Sequence, residues 1–232
     1  MWLVYWADHL FQFDFYKLGV KPKDFTALKG VVAMPLVHAK MEVQHIFNNS
    51  IPTFVLLAAL IYFYRSIALK VFALAWVFTG LGLWIFATNT GAFHIGMSGV
   101  IYALAAFLFT SGIIRKYLPL QGIALFVSFV YGSLIWGIFP METHVSWEGH
   151  LSGLLTGILL AILYRKEGPQ RPMFQYEIEK EMGIEPPDLE GIWNAQQEEA
   201  RRIKEERENA DAGFNIIYHY KPSSKKDETD EK

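Results

Sequence analysis

Apolar residues along this chain are gathered in long runs, and polar residues lie between the runs and at the end. Five runs lie near residues 43–64, 71–88, 98–114, 122–139 and 148–164. A helix needs about 20 predominantly apolar residues to cross the hydrocarbon layer of a bilayer, so each run is a candidate span. Several runs have only 17 or 18 residues, which favours a compact bundle that thins the bilayer locally. The pattern predicts an all-α polytopic membrane helix bundle.

The residues before the first run show an incomplete version of the same pattern. The first six, MWLVYW, look like the outer end of a spanning helix, and we predict that a first helix is truncated here. A short interfacial anchor is the alternative, because Trp and Tyr favour the headgroup level. The predicted division is a truncated first helix and outward loop (1–42), a membrane catalytic core (43–164) and a polar tail (165–232).

The tail differs in composition from the rest of the chain. Residues 165–232 contain 12 Lys or Arg and 17 Asp or Glu, a net charge of −5. Residues 195–210 (AQQEEARRIKEERENA) intersperse opposite charges, which predicts a solvent-exposed helix. Residues 223–232 are expected to be disordered. Neither part of the chain is basic enough to predict nucleic-acid binding.

Lysine and arginine in the short connections predict the orientation. They occur in alternate connections and after the last run, whereas residues 88–97 and 140–147 contain none. By the positive-inside rule the basic connections and the tail face the cytoplasm, and the other two connections face outward. We expect a multi-pass protein of a bacterial cytoplasmic (inner) membrane. The basic residues are Arg65, Lys70, Arg115, Lys116, Arg165, Lys166 and Arg171.

Two polar residues lie at the outward ends of apolar runs, Ser98 in GMSG and His150 in WEGHLSG. Hydroxyl and imidazole groups are costly in a membrane, so they are functional candidates that face the bundle interior. Histidine is the usual base that activates a serine nucleophile, and a dyad suffices. No aspartate occurs between Asp24 and Asp188, so no membrane-embedded aspartate completes a triad. The pair predicts acyl transfer.

Acyl transfer also needs donors for the developing oxyanion. His45 and Asn49 are spaced i and i+4 and project from one helix face, and the backbone N–H of Ser98 at a helix N-terminus is a third candidate. Each motif alone could equally be an interhelical hydrogen bond or a close helix contact. Candidate supporting residues, which permit close packing or could stack on the histidine ring, are Gly96, Gly99, Tyr102, Gly153 and Gly157.

These motifs together resemble the rhomboid family of intramembrane serine proteases. The family pattern is HxxxN on the second membrane helix, GxSG at the start of the fourth, and a histidine followed by GxxxG on the sixth. The matching stretches here are HIFNN (45–49), GMSG (96–99) and HLSGLLTG (150–157). The resemblance covers roughly residues 9–164, and the missing first helix is the main departure.

The resemblance implies Ser98 as the nucleophile, His150 as the general base, His45 and Asn49 as oxyanion donors, and Tyr102 as support for the histidine ring. It implies a serine endopeptidase that hydrolyses peptide bonds in or near transmembrane segments of membrane proteins. It also implies that the substrate has helix-destabilising residues near the cleavage point and a small residue just before it. A mobile segment, 122–139 with the loop 140–147, would act as a gate.

Other functions stay open at this point. A non-catalytic rhomboid-like protein that binds membrane clients is the main alternative, although such relatives usually lack the serine or the histidine. A small-solute transporter is disfavoured, because the chain has no internal repeat and few charged intramembrane residues. We predict no cofactor and no metal, since His219 has no partner at metal-ligand spacing. His38 and His94 lie near the predicted membrane interface and are expected in loops or at the rim of the bundle.

Overall fold

The structure is a computed structural model. It describes residues 1–40, 42–141, 146–184, 187–212 and 217–221. The described residues are largely helical, which confirms the predicted all-α class. The chain forms two units, Met1–Pro172 and Met173–Lys232. The predicted disorder of 223–232 and part of the predicted gate loop, residues 142–145, lie outside the described residues.

The helices of the first unit agree with the apolar runs within a few residues. Among the described residues, four helical stretches are long and apolar enough to cross a membrane: Val43–Phe63, Ala68–Phe86, Ser98–Arg115 and Leu118–Ile138. The last spanning candidate, Trp147–Leu163, has 17 residues and is therefore about 25 Å long at 1.5 Å per residue. The bounds are α1 Trp2–Phe11, α2 Gly30–Ala33, α3 Val43–Phe63, α4 Ala68–Phe86, α5 Ser98–Arg115, α6 Leu118–Tyr131 and α7 Trp147–Leu163.

The fourth run differs from the expectation of one continuous helix. Helix α6 ends at Tyr131, and residues Gly132–Ile138 continue as a 3₁₀ helix. Gly132 and Gly137 lower the helix propensity of this stretch. Two of its backbone carbonyls, at Leu134 and Gly137, also lie at hydrogen-bond distance from side chains of other helices. We call Gly132–Ile138 the 3₁₀ segment.

Helix α5 is the most buried of the spanning candidates and packs most extensively on α7. Glycines make this contact close. A Cβ atom at Gly153 would overlap the carbonyl oxygen of Gly99, and one at Gly157 would overlap that of Ala103. Such small residues let two helix backbones approach directly, which is how helices associate in a membrane. On its other side α7 meets α4, where the Ser152 hydroxyl donates to the Thr79 carbonyl at 2.9 Å.

A buried arginine, Arg115, lies at the opposite end of the α5–α7 contact. Arg115 is buried at the end of α5. Its guanidinium donates to the carbonyl oxygens of Tyr164, Glu167 and Pro169 at 2.6 to 2.7 Å, and its Nε donates to Ser111 Oγ at 2.8 Å. The last carbonyls of a helix have no partner within the helix. Arg115 supplies that partner for α7 and the chain after it.

The N-terminal region packs on the bundle through polar contacts. Trp2 Nε1 donates to Ser50 Oγ at 3.0 Å. Val20 and His94 form an antiparallel bridge in which each N–H donates to the other residue's carbonyl, at 2.9 and 2.8 Å. This bridge joins the region before α3 to the connection that leads into Ser98.

The second unit contains α8, Gln175–Glu181, and α9, Leu189–Ala212. Helix α9 is longer than the predicted helix 195–210. It begins after Asp188, whose Oδ1 accepts from the Gly191 N–H at 2.9 Å, as an N-terminal cap does. Its charged surface includes an i,i+4 pair between Lys204 and Glu208, with Nζ and Oε1 3.7 Å apart.

Candidate active site

The candidate nucleophile and base lie at the starts of two packed helices. Ser98 is the first residue of α5, and His150 is in the first turn of α7. His150 Nε2 lies 2.8 Å from Ser98 Oγ, although the residues are 52 positions apart. This is a hydrogen-bond distance, and it is the contact through which a base accepts the proton of a serine nucleophile.

Two further contacts fix the imidazole ring of His150. The ring stacks on Tyr102, with centroids 4.2 Å apart and planes at 10°. Its other nitrogen, Nδ1, lies 2.9 Å from the carbonyl oxygen of Gly137. The Tyr102 hydroxyl donates to the carbonyl oxygen of Leu134 at 2.6 Å. The ring is therefore held between α5 and the 3₁₀ segment.

His45 and Asn49 lie beside the turn before the serine. Gly96 has φ of +107°, a conformation that favours glycine. A Cβ atom there would lie 3.0 Å from His45 Nε2 and 3.9 Å from Asn49 Nδ2. Asn49 Nδ2 donates to the His45 carbonyl at 2.9 Å, which uses one of the two N–H donors of the amide. Both side chains thus lie next to the Gly96 turn that leads into Ser98.

A further histidine packs behind His45. His38 is 2% exposed, and its ring meets that of His45 edge to face with centroids 5.1 Å apart. Burial, and then the neighbouring His45, lowers the pKa of His38 to about 4. His38 is therefore neutral at pH 7. His38 lies in the connection between Leu36 and α3, as expected for a loop residue, but it is buried there and not at the rim of the bundle.

His94 also lies in a connection between helices, as expected for a loop residue, and it too is buried and not at the rim. Its Nδ1 lies 2.7 Å from the hydroxyl of Ser146, the N-cap residue of α7. A second link joins the same two regions, because the Thr88 hydroxyl donates to Glu148 Oε1 at 2.8 Å. The connection before Ser98 is thereby tied to the helix start that carries His150.

The sequence also matches a known protein family. Residues 27–167, more than half of the chain, match the Rhomboid domain. The chain belongs to the rhomboid family. With its membrane-spanning helices, this rhomboid is an integral membrane protein.

Proteins similar to this rhomboid occur in mycobacteria, and their names describe them as uncharacterized. Proteins of Mycobacterium tuberculosis and Mycobacterium bovis are each 36% identical over 162 residues, covering 66% of this chain and 65% of their own length. A Mycobacterium leprae protein is 32% identical over 199 residues, covering 82% of this chain and 75% of its own length. The chain thus spans just under two thirds of the first two relatives.

The structure brings the residues singled out from the sequence into one place. The glycines lie where the backbones of α5 and α7 meet, or at the turn before α5, and Tyr102 lies against the His150 ring. Sequence reasoning missed the carbonyls of Leu134 and Gly137, since every residue type has a carbonyl. It also missed the His94–Ser146 contact. A serine directly before an apolar run is an N-cap signal that could have drawn attention to Ser146.

Proposed function

We propose that this rhomboid is an intramembrane serine endopeptidase that hydrolyses peptide bonds in or near transmembrane segments of membrane proteins. One observation carries the proposal: Ser98 Oγ and His150 Nε2 lie 2.8 Å apart in a chain of the rhomboid family. An ordinary interhelical hydrogen bond would not need its histidine ring stacked on a tyrosine and contacted at its second nitrogen. These additional contacts favour a base with a fixed orientation.

The proposed reaction has two steps. Ser98 Oγ attacks the carbonyl carbon of the scissile bond while its proton passes to His150 Nε2, and the oxyanion forms. The carbon–nitrogen bond then breaks, and the leaving amine takes the proton from His150. Water attacks the resulting ester and gives its proton to His150. As the bond between the acyl carbon and Ser98 Oγ breaks, His150 returns this proton to Oγ, and the acid product leaves. Every proton moves through one imidazole, so no cofactor is required.

We assign the oxyanion to donors from α3 and α5. His45 and Asn49 lie beside the Gly96 turn, and the backbone N–H of Ser98 lies at the positive end of α5. Donors aimed at a developing charge in a site shielded from water contribute strongly to catalysis. Replacing Asn49 with alanine should lower kcat by about 10²-fold or more.

The proposed substrate is a membrane helix that unwinds locally. Backbone carbonyls inside a helix are already bonded, so the scissile residue has to leave its helix before Ser98 can reach it. The proposed orientation puts the site near the outward surface and the second unit in the cytoplasm. The relatives compared above are bacterial, which supports a bacterial cytoplasmic membrane.

The test uses the full chain in lipid vesicles or detergent with a single-span model substrate, and the products are identified by mass. Ser98→Ala and His150→Ala should each reduce cleavage by about 10⁴-fold or more. Ser128→Ala, an exposed serine on α6, and His219→Ala, an exposed histidine after α9, are matched controls that should cleave normally.

Cleavage that survives in Ser98→Ala would reject the proposed nucleophile. A wild-type protein that does not cut, yet binds a membrane client as well as Ser98→Ala does, would support the client-binding alternative. Unfolding midpoints of all variants, followed by tryptophan fluorescence, separate a chemical loss from a loss of fold.

A further inference from the structure

The second nitrogen of the His150 ring meets the 3₁₀ segment. Nδ1 lies 2.9 Å from the carbonyl oxygen of Gly137. A carbonyl oxygen can only accept a hydrogen bond, so this contact needs a proton on Nδ1. A neutral imidazole carries one ring proton, and Nε2 is then free to accept from the Ser98 hydroxyl.

We propose that Gly137 is a positioning residue whose carbonyl oxygen holds His150 in the Nδ1–H tautomer. An aspartate side chain performs this task in a Ser-His-Asp triad, and this chain has no aspartate in its membrane helices. The inference rests on the proposed function, in which His150 is the base. It makes the base dependent on the 3₁₀ segment lying against the His150 ring.

Position 137 has room only for glycine. A Cβ atom there would overlap the Tyr102 hydroxyl and lie 3.0 Å from His150 Nδ1. The same hydroxyl donates to the Leu134 carbonyl at 2.6 Å, three residues earlier in the segment. Gly132, at the start of the segment, has no atom within 4 Å of the equivalent Cβ position. The two glycines of one segment therefore differ in what they touch, and only Gly137 touches the dyad.

Side-chain packing holds the 3₁₀ segment only weakly. None of its seven residues, all of them described, is buried, and Trp136 is 64% exposed. A 3₁₀ run of this length is also uncommon, because its hydrogen bonds have poorer geometry than those of an α-helix. The contacts at Leu134 and Gly137 are polar and directed, and outward movement of the segment breaks both of them.

This arrangement couples the entry of a substrate to the tautomer of His150. A substrate that displaces the 3₁₀ segment also releases the proton on Nδ1 from its acceptor. The ring can then adopt the other tautomer, in which Nε2 carries the proton and cannot take one from Ser98. Efficient proton transfer requires the segment to return to His150 after the substrate has entered.

The first measurement is nitrogen-15 NMR of the full wild-type chain with labelled histidine, at about pH 8, where an ordinary imidazole is neutral. His150→Ala identifies the His150 signals by their loss. We expect a protonated Nδ1 and an unprotonated Nε2. An Nε2–H tautomer, or an equal mixture of the two, would overturn the inference without any measurement of activity.

The second measurement compares two glycine-to-alanine changes in the same segment. A fluorophosphonate probe reports the activated serine directly: Ser98 Oγ bonds to phosphorus, fluoride leaves, and the proton passes to His150. Gly137→Ala should slow labelling by about 10²-fold or more, because a wrong tautomer disables the base. Its Nδ1–H signal should also decrease. The Gly132→Ala variant should react with the probe at the wild-type rate and give the wild-type Nδ1–H signal of His150.

A rescue experiment separates tautomer control from a general loss of fold. In the double variant Tyr102→Phe/Gly137→Ala the hydroxyl that the new methyl group would overlap is gone. Labelling and the Nδ1–H signal should both recover in part relative to Gly137→Ala. Wild-type labelling and an unchanged tautomer in Gly137→Ala would refute the role of Gly137.

Failure of the proposed function has a different signature. A wild-type protein that neither cuts substrate nor reacts with the probe would argue against Ser98 as the nucleophile. Even then, the tautomer measured in the wild-type protein would show whether His150 Nδ1 donates to the Gly137 carbonyl. If Gly137→Ala does not fold, as shown by its unfolding midpoint, the wild-type tautomer remains the deciding measurement.

Discussion

Two of the neighbours of helix α5 differ in how much of their length packs closely against it. Against α7 the backbones are so close that a Cβ atom at Gly153 or Gly157 would overlap α5. The stretch Leu118–Ile138 also packs closely on α5 at its start, where a Cβ atom at Gly112 would overlap the carbonyl oxygen of Leu120, but none of the residues of the 3₁₀ segment at its end is buried. Ser98 and His150 lie on the closely packed pair, while the carbonyl next to His150 Nδ1 belongs to the exposed 3₁₀ segment.

This division answers two conflicting physical demands. Proton transfer between a hydroxyl and an imidazole needs a fixed distance, and close backbone packing supplies it because packed interiors deform little. A site that receives a polypeptide needs a wall that can move at low cost, and regions with little apolar packing open most readily. Substitutions on either side of α5 test whether the two regions really differ.

The largest effect is expected for Gly157→Ala in the α5–α7 contact. The added methyl group overlaps the Ala103 carbonyl and lies 2.8 Å from the Ala106 Cβ, so the helices must separate. We expect a loss of about 2–3 kcal/mol in the free energy of unfolding, together with a loss of cleavage as Ser98 and His150 move apart. Chemical denaturation in detergent, followed by tryptophan fluorescence, measures the first, and substrate cleavage measures the second. An unchanged stability would mean that the contact is looser than described.

A smaller loss is expected at the other end of the same contact. Arg115→Met keeps an apolar side chain of similar reach but leaves the carbonyls of Tyr164, Glu167 and Pro169 without their donor. Water reaches part of this end of the bundle, so we expect a loss of about 2 kcal/mol. Arg65→Met, at an exposed arginine after α3, is the control and should change stability by less than about 0.5 kcal/mol. Equal effects of the two changes would contradict the role given to Arg115.

The smallest effect, with the opposite sign, is expected for Gly122→Ala on α6. No atom lies within 4 Å of its Cβ position, and alanine is a better helix former than glycine. The variant should gain about 0.5–1 kcal/mol, measured by the same denaturation. This is the same chemical change as Gly157→Ala. A loss of stability at position 122 would show that α6 packs against a surface that the comparison treats as open.

Much of the fold could be predicted because the relevant signals are local in sequence. Long apolar runs predict spanning helices, and α3 and α5 begin within a residue of their runs. The family assignment also followed from short motifs with fixed spacing, now supported by the match to the Rhomboid domain. The alternation of basic and non-basic connections predicted that Ser98 and His150 lie at similar depth, and in the structure Ser98 Oγ and His150 Nε2 are 2.8 Å apart.

The parts that could not be predicted depend on backbone atoms or on chain far away in sequence. The end of α6 at Tyr131 was not predicted, because the apolar run continues to 139. Gly132 and Gly137 lower the helix propensity there, but Gly122 in the same run stays helical, so glycine alone does not mark the end. The contact between His150 and the Gly137 carbonyl has no side-chain signature. His38 and His94 are buried although both lie in connections between helices, and a single sequence gives no measure of that burial.

The bridge between Val20 and His94 has a practical consequence for trimming this protein. The family match begins at residue 27, and a fragment cut at that boundary would keep every motif residue from His45 to Gly157. It would lack Val20, and His94, four residues before the nucleophile, would lose both backbone hydrogen bonds of the bridge. A recombinant fragment designed to retain this rhomboid's site should therefore begin upstream of Val20, and not at the edge of the sequence similarity.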